Sequence, residues 1–320
     1  MNNAINPLWL DKPYYSLNAY FKHVYSDRCY KISIDGGFTC PNRDGTLGTN
    51  GCIFCSESGS GDFSTSLDIH SSITCQISTS ISQIKARKKA KYFIAYFQAF
   101  TSTYGPIDKL YSLFNAALSH DEIIGISIGT RPDCLDDDVL LLLAQLREKF
   151  PDKFIWVELG LQTIHDKTAV YIRRCYPLAV FDKAMEDLAN LHIPTIIHLI
   201  LGLPDESNES ILESVRYLNK FKPFGVKFQL LHVLKDTDLA TDYHDHKFEV
   251  LNQESYIKLL ADCIANTHPD CVIHRVTGDG PKELLIAPTW SSRKIEVLNA
   301  LHKYLKKEQI YQGKYLKENI

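Results

Sequence analysis

No window of the 320-residue chain gathers about 18 uncharged apolar residues, which excludes a membrane-spanning helix. The opening stretch "MNNAINPLWLDKPYYSLNAYF" lacks both the basic segment and the continuous apolar segment of a secretory signal, so a soluble cytoplasmic protein without a membrane partner is expected. Neither sign of charge dominates: 35 Lys and Arg stand against 38 Asp and Glu, a net charge of -3. That balance excludes a global basic field, and a nucleic-acid partner would have to be met by a local patch. Nine cysteines cannot all pair, and a reducing cytosol argues for metal ligation or buried thiols over a disulfide framework.

What is present is enough apolar sequence, 45%, for a large core in one globular unit or a domain with an appendage. Six β-rich runs punctuate the chain: residues 30–37, 91–100, 123–131, 154–163, 194–204 and 225–234. Between them lie amphipathic stretches such as "DDDVLLLLAQLREKF", with acids first and bases last, and "SILESVRYLNKF", where Ser210 and Glu213 form a capping-box pattern. Strand and helix in alternation imply a parallel sheet covered by helices, and six units suggest a partial barrel related to the eight-unit form.

Period two sorts the strand side chains onto two faces. One face carries Glu158, Gly160 and Gln162 in the fourth run, Ser127, Gly129 and Arg131 in the third, His198, Ile200 and Gly202 in the fifth, and Lys227 and Gln229 in the sixth. In a helix-covered parallel sheet such polar faces line an internal cavity at the carboxyl ends of the strands.

The loop "CPNRDGTLGTNGCIFC" follows the first run and holds Cys40, Cys52 and Cys55. The other six cysteines are scattered at no ligand spacing and read as small core or surface residues. A structural zinc site is the main competitor, but it wants four closed ligands, and the nearest candidates, His70 and Cys75, lack a knuckle spacing. Three thiolates alone suit a four-iron cluster with one iron open to a ligand that is not protein. The Gly and Asn residues between them permit positive φ and offer backbone N–H groups to cluster sulfides.

Eleven residues between Cys40 and Cys52, followed by "CIFC", resemble the radical S-adenosylmethionine (SAM) enzymes, in the branch related to the Elongator catalytic subunit and its YhcC/YtqA-like group. The resemblance runs in order through "YFQAFTSTY", "ISIGTRPDCL", "WVELGLQTIHDKT", "HLILGLPDE" and "LLHVLKDT", and the later "HRVTGDGP", "EVLNAL" and "YQGKYL" look like the YtqA side. It implies a partial (β/α)6 TIM-like barrel of the radical SAM type over residues 30–238, preceded by an N-terminal extension (1–29) and followed by a helical C-terminal extension (239–320). It also implies a 4Fe-4S cluster on the three cysteines, reduced by a donor such as flavodoxin or ferredoxin, and reductive cleavage of SAM to a deoxyadenosyl radical.

Laid on individual residues, the resemblance puts Phe54 beside the adenine, Gln98 near the SAM amino group, and Glu158 and Gln162 near the ribose. Arg131 and His198 join the SAM-contact set; the bland reading of His198 is a satisfied core residue. Arg174 falls where relatives clamp the SAM carboxylate, with Arg173 as the alternative, and the backbone at Gly202 passes the adenosine. Lys227 is the candidate catalytic group toward the substrate. Gln229, His232, His274, Arg275 and Asp279 are candidate substrate contacts, against ion pairs that close the barrel on the tail. Residues 282–320 read as an amphipathic helix with Lys-rich ends and tyrosines, and "KARKKAK" at 85–91 is a second basic cluster; both suit RNA.

Relatives around the Elongator catalytic subunit modify the tRNA wobble uridine, and the YtqA-like group is associated with converting 5-carboxymethylaminomethyl-uridine to 5-aminomethyl-uridine. The alternatives are a radical enzyme acting on a peptide or small metabolite and a non-catalytic iron–sulfur binding or sensing protein. One ligand triad predicts one four-iron cluster per chain after anaerobic reconstitution. Replacing Cys40, Cys52 or Cys55 with Ala should abolish its visible absorbance and iron content, whereas Cys134→Ala should retain both; a cluster that survives loss of Cys52 would defeat the assignment.

Overall fold

The computed structural model describes residues 6–59, 72–278 and 280–316; His70 and Asp279 lie outside them. Runs rich in β-branched and aromatic residues form β1 (Cys29–Ile34), β2 (Tyr92–Phe97), β3 (Ile123–Thr130), β4 (Phe154–Gln162), β5 (Thr195–Leu201) and β6 (Gly225–Leu230), all paired in parallel in chain order. The sixth run does not continue unbroken to 234. It breaks after Leu230, and β7 (Val233–Leu234) pairs antiparallel with β9 (Leu285–Ala287). A seventh parallel strand, β8 (Val272–Arg275), adds beside β6, so the sheet continues into the segment read from sequence as substrate contacts.

The sheet is curled into a half-barrel. Four strand spacings separate β2 from β6, about 19 Å in a flat sheet. Yet Lys227 Nζ on β6 donates to Tyr96 Oη on β2 at 3.0 Å. On the convex side, outward residues such as Phe93, Phe97, Val157, Leu199 and Phe228 join the inner faces of the helices in one continuous core. These helices are α2 (Ile73–Lys85), α3 (Ile107–Leu118), α4 (Asp137–Lys149), α6 (Leu178–Asn190), α7 (Asn208–Leu218) and α9 (Gln253–Ala265). Helix α4 carries the expected charge order, with Asp136 as N-cap and Arg147 and Lys149 in its last turn. Helix α7 starts three residues earlier than its capping-box pattern implied: the Ser207 hydroxyl accepts from the Ser210 N–H and is the cap. Ser210 is therefore already helical.

The concave side is layered. At the amino ends of the strands, α1 (Leu17–Tyr25) plugs the half-barrel: Phe21 stacks on Trp156 with centroids 5.8 Å apart, and Tyr20 meets Phe224 edge-on at 5.0 Å. Phe154 stacks on Trp156 in turn, at 4.1 Å. Along β4 the inward series runs Trp156, Glu158, Gly160, Gln162, from aromatic floor to polar mouth. The basic helix expected over 282–320 is shorter: α10 spans Lys294–Lys307, and the chain then turns. Beyond the turn, buried Gln312 accepts from the Tyr15 N–H at 2.8 Å and donates to the carbonyls of His268 and Cys271. The last of these precedes β8, so the end of α10 lies toward the amino ends of the strands.

Candidate active site

The loop after β1 builds its own frame. N–H groups of Arg43 and Asp44 bond the Cys40 carbonyl, those of Leu47 and Gly48 the Pro41 carbonyl, and that of Gly51 the Asn42 carbonyl. The Arg43 guanidinium donates to the carbonyls of Cys55 (3.0 Å) and Ser56 and lies over the Phe100 ring. Gly51 is required here: its φ is +71°, and a Cβ would stand 2.9 Å from Arg43 Nε. The Asn42 amide fastens the loop to the segment after α5 (Asp166–Tyr171), donating to the Arg173 carbonyl at 2.8 Å.

Cys40, Cys52 and Cys55 share the wall of one cavity at the carboxyl ends of the strands. It is also lined by Gln98 just after β2, Arg131 after β3, Gln162 at the end of β4, and Arg174. Phe54 joins the thiol side. Among the described residues no three His, Cys, Asp or Glu side chains close around a single ion.

The two arginines separate. Arg174 is buried, donates to the carbonyls of Tyr176 (3.1 Å) and Thr163 (2.6 Å), and keeps Nη2 without a partner. Arg173 turns its guanidinium outward to pair with Asp238, the first residue of α8 (Asp238–His244), while its carbonyl receives Asn42. Arg131 is forked onto Asp133 at 2.9 and 2.7 Å and also donates to the Arg174 carbonyl, which makes it a brace for that residue. Gln162, at φ +68°, leaves Oε1 buried and unpaired on the cavity lining. Gly202 ends β5 at φ +88°, with Leu251 about where a side chain would go.

Glu158 forms the floor. Oε1 accepts from Lys31 Nζ (2.7 Å) and Ser127 Oγ (2.6 Å), and Oε2 from Tyr96 Oη (2.9 Å), His198 Nε2 (2.8 Å) and Lys227 Nζ. Five donors thus occupy both oxygens, and the carboxylate, only 1% exposed, spends its acceptor capacity on the protein. Burial alone would raise its pKa, but Lys227, Lys31 and His198 outweigh that and hold it well below the usual range. Burial pulls the Lys227 ammonium down to about 7 despite Glu158, with Lys31 and Arg275 adding to the fall. Burial, with Lys227 beside it, takes His198 down to about 4. His198 is thus neutral, accepting from the Gln229 amide on Nδ1 and donating from Nε2 to Glu158.

The remaining sequence candidates spread along the last strand and the tail. Arg275 on β8 lines the same cavity as Lys227 and Gln229. His274 turns toward the aromatic floor, edge-on to Trp156 and Phe224, with both ring nitrogens buried and unpaired. His232 bonds Ser291 Oγ at 3.1 Å. The basic residues 85–91 immediately precede β2, at the end of the sheet opposite the cysteine loop, and Lys306 and Lys307 lie toward that same end. Lys31 and Tyr96 were not singled out from sequence, although the alternation of β1 and β2 places both on the inward face.

Residues 45–218 match the Radical SAM superfamily, and residues 223–307 match the Radical_SAM C-terminal domain. The chain belongs to the radical SAM superfamily. It is 41% identical over 309 residues to the uncharacterized protein YtqA of Bacillus subtilis, covering 95% of this chain and 93% of that one. Protein YhcC of Escherichia coli is 32% identical over 292 residues, at 91% and 92% coverage. Among solved structures, Elp3 of the archaeon Methanocaldococcus infernus superposes with a TM-score of 0.67 at 15% identity, over 89% of this chain and 64% of that one, a likeness of fold.

A radical SAM enzyme carries a 4Fe-4S cluster and SAM, and the residues present fit both. Three thiols open onto one cavity, and two buried polar atoms on its lining, Gln162 Oε1 and Arg174 Nη2, lack protein partners. A donor and an acceptor held in this way match the carboxylate and hydroxyl or ammonium groups of an amino-acid nucleoside.

Two outcomes are expected from this geometry. Arg174→Ala should keep full iron content while SAM affinity falls at least about tenfold, and Arg173→Ala should leave SAM affinity unchanged; equilibrium binding on the reconstituted protein decides between them. Second, the folded protein holds Lys227 near 7, whereas an unfolded lysine titrates near about 10.4. Between those values the unfolded chain binds more protons, so this group makes stability rise as pH increases through that window. Denaturant midpoints from pH 7 to 9 should therefore rise more steeply, or fall less, in the wild type than in Lys227→Met.

Proposed function

We propose that this radical SAM enzyme modifies the tRNA wobble uridine, converting 5-carboxymethylaminomethyl-uridine to 5-aminomethyl-uridine. The observation that carries the reading is the charge of the cavity floor. Among the described residues, Lys31 and Lys227 converge on one carboxylate, Glu158, in a chain of net charge -3, and Arg275 lines the same cavity. A surplus of cations at the end of a cofactor cavity suits a small anionic substituent carried on a larger substrate, and the carboxymethyl group is one. The resemblance to the Elongator-related branch supplies the substrate class.

The cluster and SAM, when bound, would supply a deoxyadenosyl radical able to take a hydrogen atom from the methylene between the substituent nitrogen and its carboxylate; loss of a second electron to an acceptor of the iron–sulfur or flavin class would then give an iminium whose hydrolysis by water breaks the C–N bond, releasing glyoxylate and leaving the amine on the uridine. The chain's own residues do the rest. Arg174, braced by Arg131, and Gln162 orient SAM at the mouth. Lys227 and Arg275 receive the substituent carboxylate, and α1 plugs the amino ends of the strands behind them. A lysine whose pKa lies near 7 becomes fully cationic when an anion arrives, so binding and protonation reinforce each other.

The assay incubates reduced enzyme, SAM and tRNA bearing 5-carboxymethylaminomethyl-uridine, and measures nucleosides by mass spectrometry. The wild type should release 5-aminomethyl-uridine, and Lys227→Ala should lower turnover at least about a hundredfold while tRNA affinity stays within about twofold. Deoxyadenosine without nucleoside conversion would sink the tRNA assignment.

A further inference from the structure

The amino ends of the first two strands carry a concentration of charge opposite in sign to the chain's net charge of -3. From the last residue of α2 to the start of β2 run Lys85, Arg87, Lys88, Lys89 and Lys91, and Arg28 immediately precedes β1. Lys85 pairs with Glu122. The other five are exposed and make no ion pair among the described residues. Asp27, whose carboxylate accepts from the Arg28 backbone N–H at 2.7 Å, is the one acid in these two stretches.

The sheet register brings the two stretches together. Cys29 on β1 lies opposite Tyr92 on β2, so Arg28 and Lys91 stand side by side where the chain enters the two strands. Like charges placed in this way are destabilising in a sheet. Lys88 Nζ lies 5.3 Å from the centroid of the Tyr30 ring, and Tyr25 and Tyr92 meet with centroids 5.3 Å apart, which ties the end of α1 to both strand starts. The five cations therefore share one face. The dipole of α2 accounts for Lys85 in its last turn and for Arg87 and Lys88 just past it. It does not account for Lys89 and Lys91, farther out, or for Arg28 on the other segment.

Spaced, exposed cations suit an extended polyanion, which gains from each phosphate brought near a lysine or arginine. Position narrows the choice of partner. The six residues of β1, about 20 Å at about 3.3 Å each, and the loop beyond separate this face from the three thiols. An electron donor has to approach the cysteine loop, so an acidic redox protein does not fit here. A tRNA whose wobble base lies in the mouth does fit, because its stems extend well past the anticodon loop.

We propose that Arg28, Arg87, Lys88, Lys89 and Lys91 form a docking surface for the sugar–phosphate backbone of the tRNA body, outside the anticodon arm. This rests on the tRNA reading above and adds to it a second grip that is independent of sequence. The mouth selects the modified base, and the far face holds the body.

The test uses the full-length chain loaded with cluster and SAM. Equilibrium binding of the whole tRNA and of its isolated anticodon stem-loop is measured across salt for the wild type and for the triple variant Arg28→Gln, Lys89→Gln, Lys91→Gln. The variant should lose at least about tenfold in affinity for tRNA. Its slope of log affinity against log salt should flatten by about 2 to 2.7, three contacts at about 0.7 to 0.9 each. Affinity for the stem-loop should stay within about twofold, and nucleoside conversion should show a raised KM for tRNA at unchanged kcat. Lys89→Arg, Lys91→Arg should behave as the wild type, and iron content and unfolding midpoint report that the variants are folded. Unchanged tRNA affinity and salt slope in the triple variant would overturn the surface, as would an equal loss on the stem-loop. A variant that keeps its tRNA affinity but is reduced more slowly by flavodoxin would overturn it in favour of a protein partner. Any of these results, alongside normal nucleoside conversion by the wild type, leaves the tRNA reading intact. Conversely, tRNA held through these residues with no nucleoside converted would reject the wobble-uridine reaction and leave the surface standing.

Discussion

One carboxylate organises the interior. Glu158 accepts from side chains on β1, β2, β3, β5 and β6, so its two oxygens tie together five strands that a flat sheet would keep apart. Isolated in a dry interior, such a charge would be untenable. Surrounded by two ammonium groups and three neutral donors it is satisfied, and only the loss of both Lys31 and Lys227 would leave it an uncompensated buried ion. The curl of the half-barrel and the electrostatics of its floor therefore share one origin. The same contacts that bend the sheet hold Lys227 in a state poised between charged and neutral.

From that layer the rest follows by position along the strands. Below it, toward the amino ends, α1 and the rings of Trp156, Phe154 and Phe224 seal the interior. Above it, the carboxyl ends and their loops carry the three thiols, Gln162 and Arg174. Arg131 connects the levels by bracing the Arg174 carbonyl while its own charge is matched by Asp133. Among the described residues the three thiols, Gln162 and Arg174 thus gather at one end of the molecule and the stacked aromatics at the other.

The parts of this arrangement that were legible in the sequence are those with a short physical period. Thiolate spacing is dictated by the cluster, and strand alternation places Glu158, Gln162, His198, Lys227 and Gln229 on one face whatever the tertiary detail. Contacts that join distant segments were not legible. Glu158 read as a ligand contact because its five donors lie on five different strands, and β8 escaped notice because four residues give no usable alternation. The Ser210 pattern was real, but Ser207 offered a hydroxyl one turn earlier. The basic clusters were visible, yet their distance from the mouth depends on which end of a strand each adjoins. That information was present for 85–91, which precedes a strand where the cysteine loop follows one.

The order of the strands in space has a kinetic meaning. Strands β1 to β6 are neighbours in the sheet in the same order in which they occur in the chain. Apart from β2, which follows β1 only after residues 35–91, each can therefore dock on its predecessor through a crossover of one or two helices, with modest loop-closure entropy to overcome. The Glu158 layer is different, because its last donor arrives only with β6. A sheet that grew in chain order would keep the carboxylate hydrated until β6 docks, so that the floor would gain its charge pattern as β6 brings Lys227 to Tyr96 and Glu158.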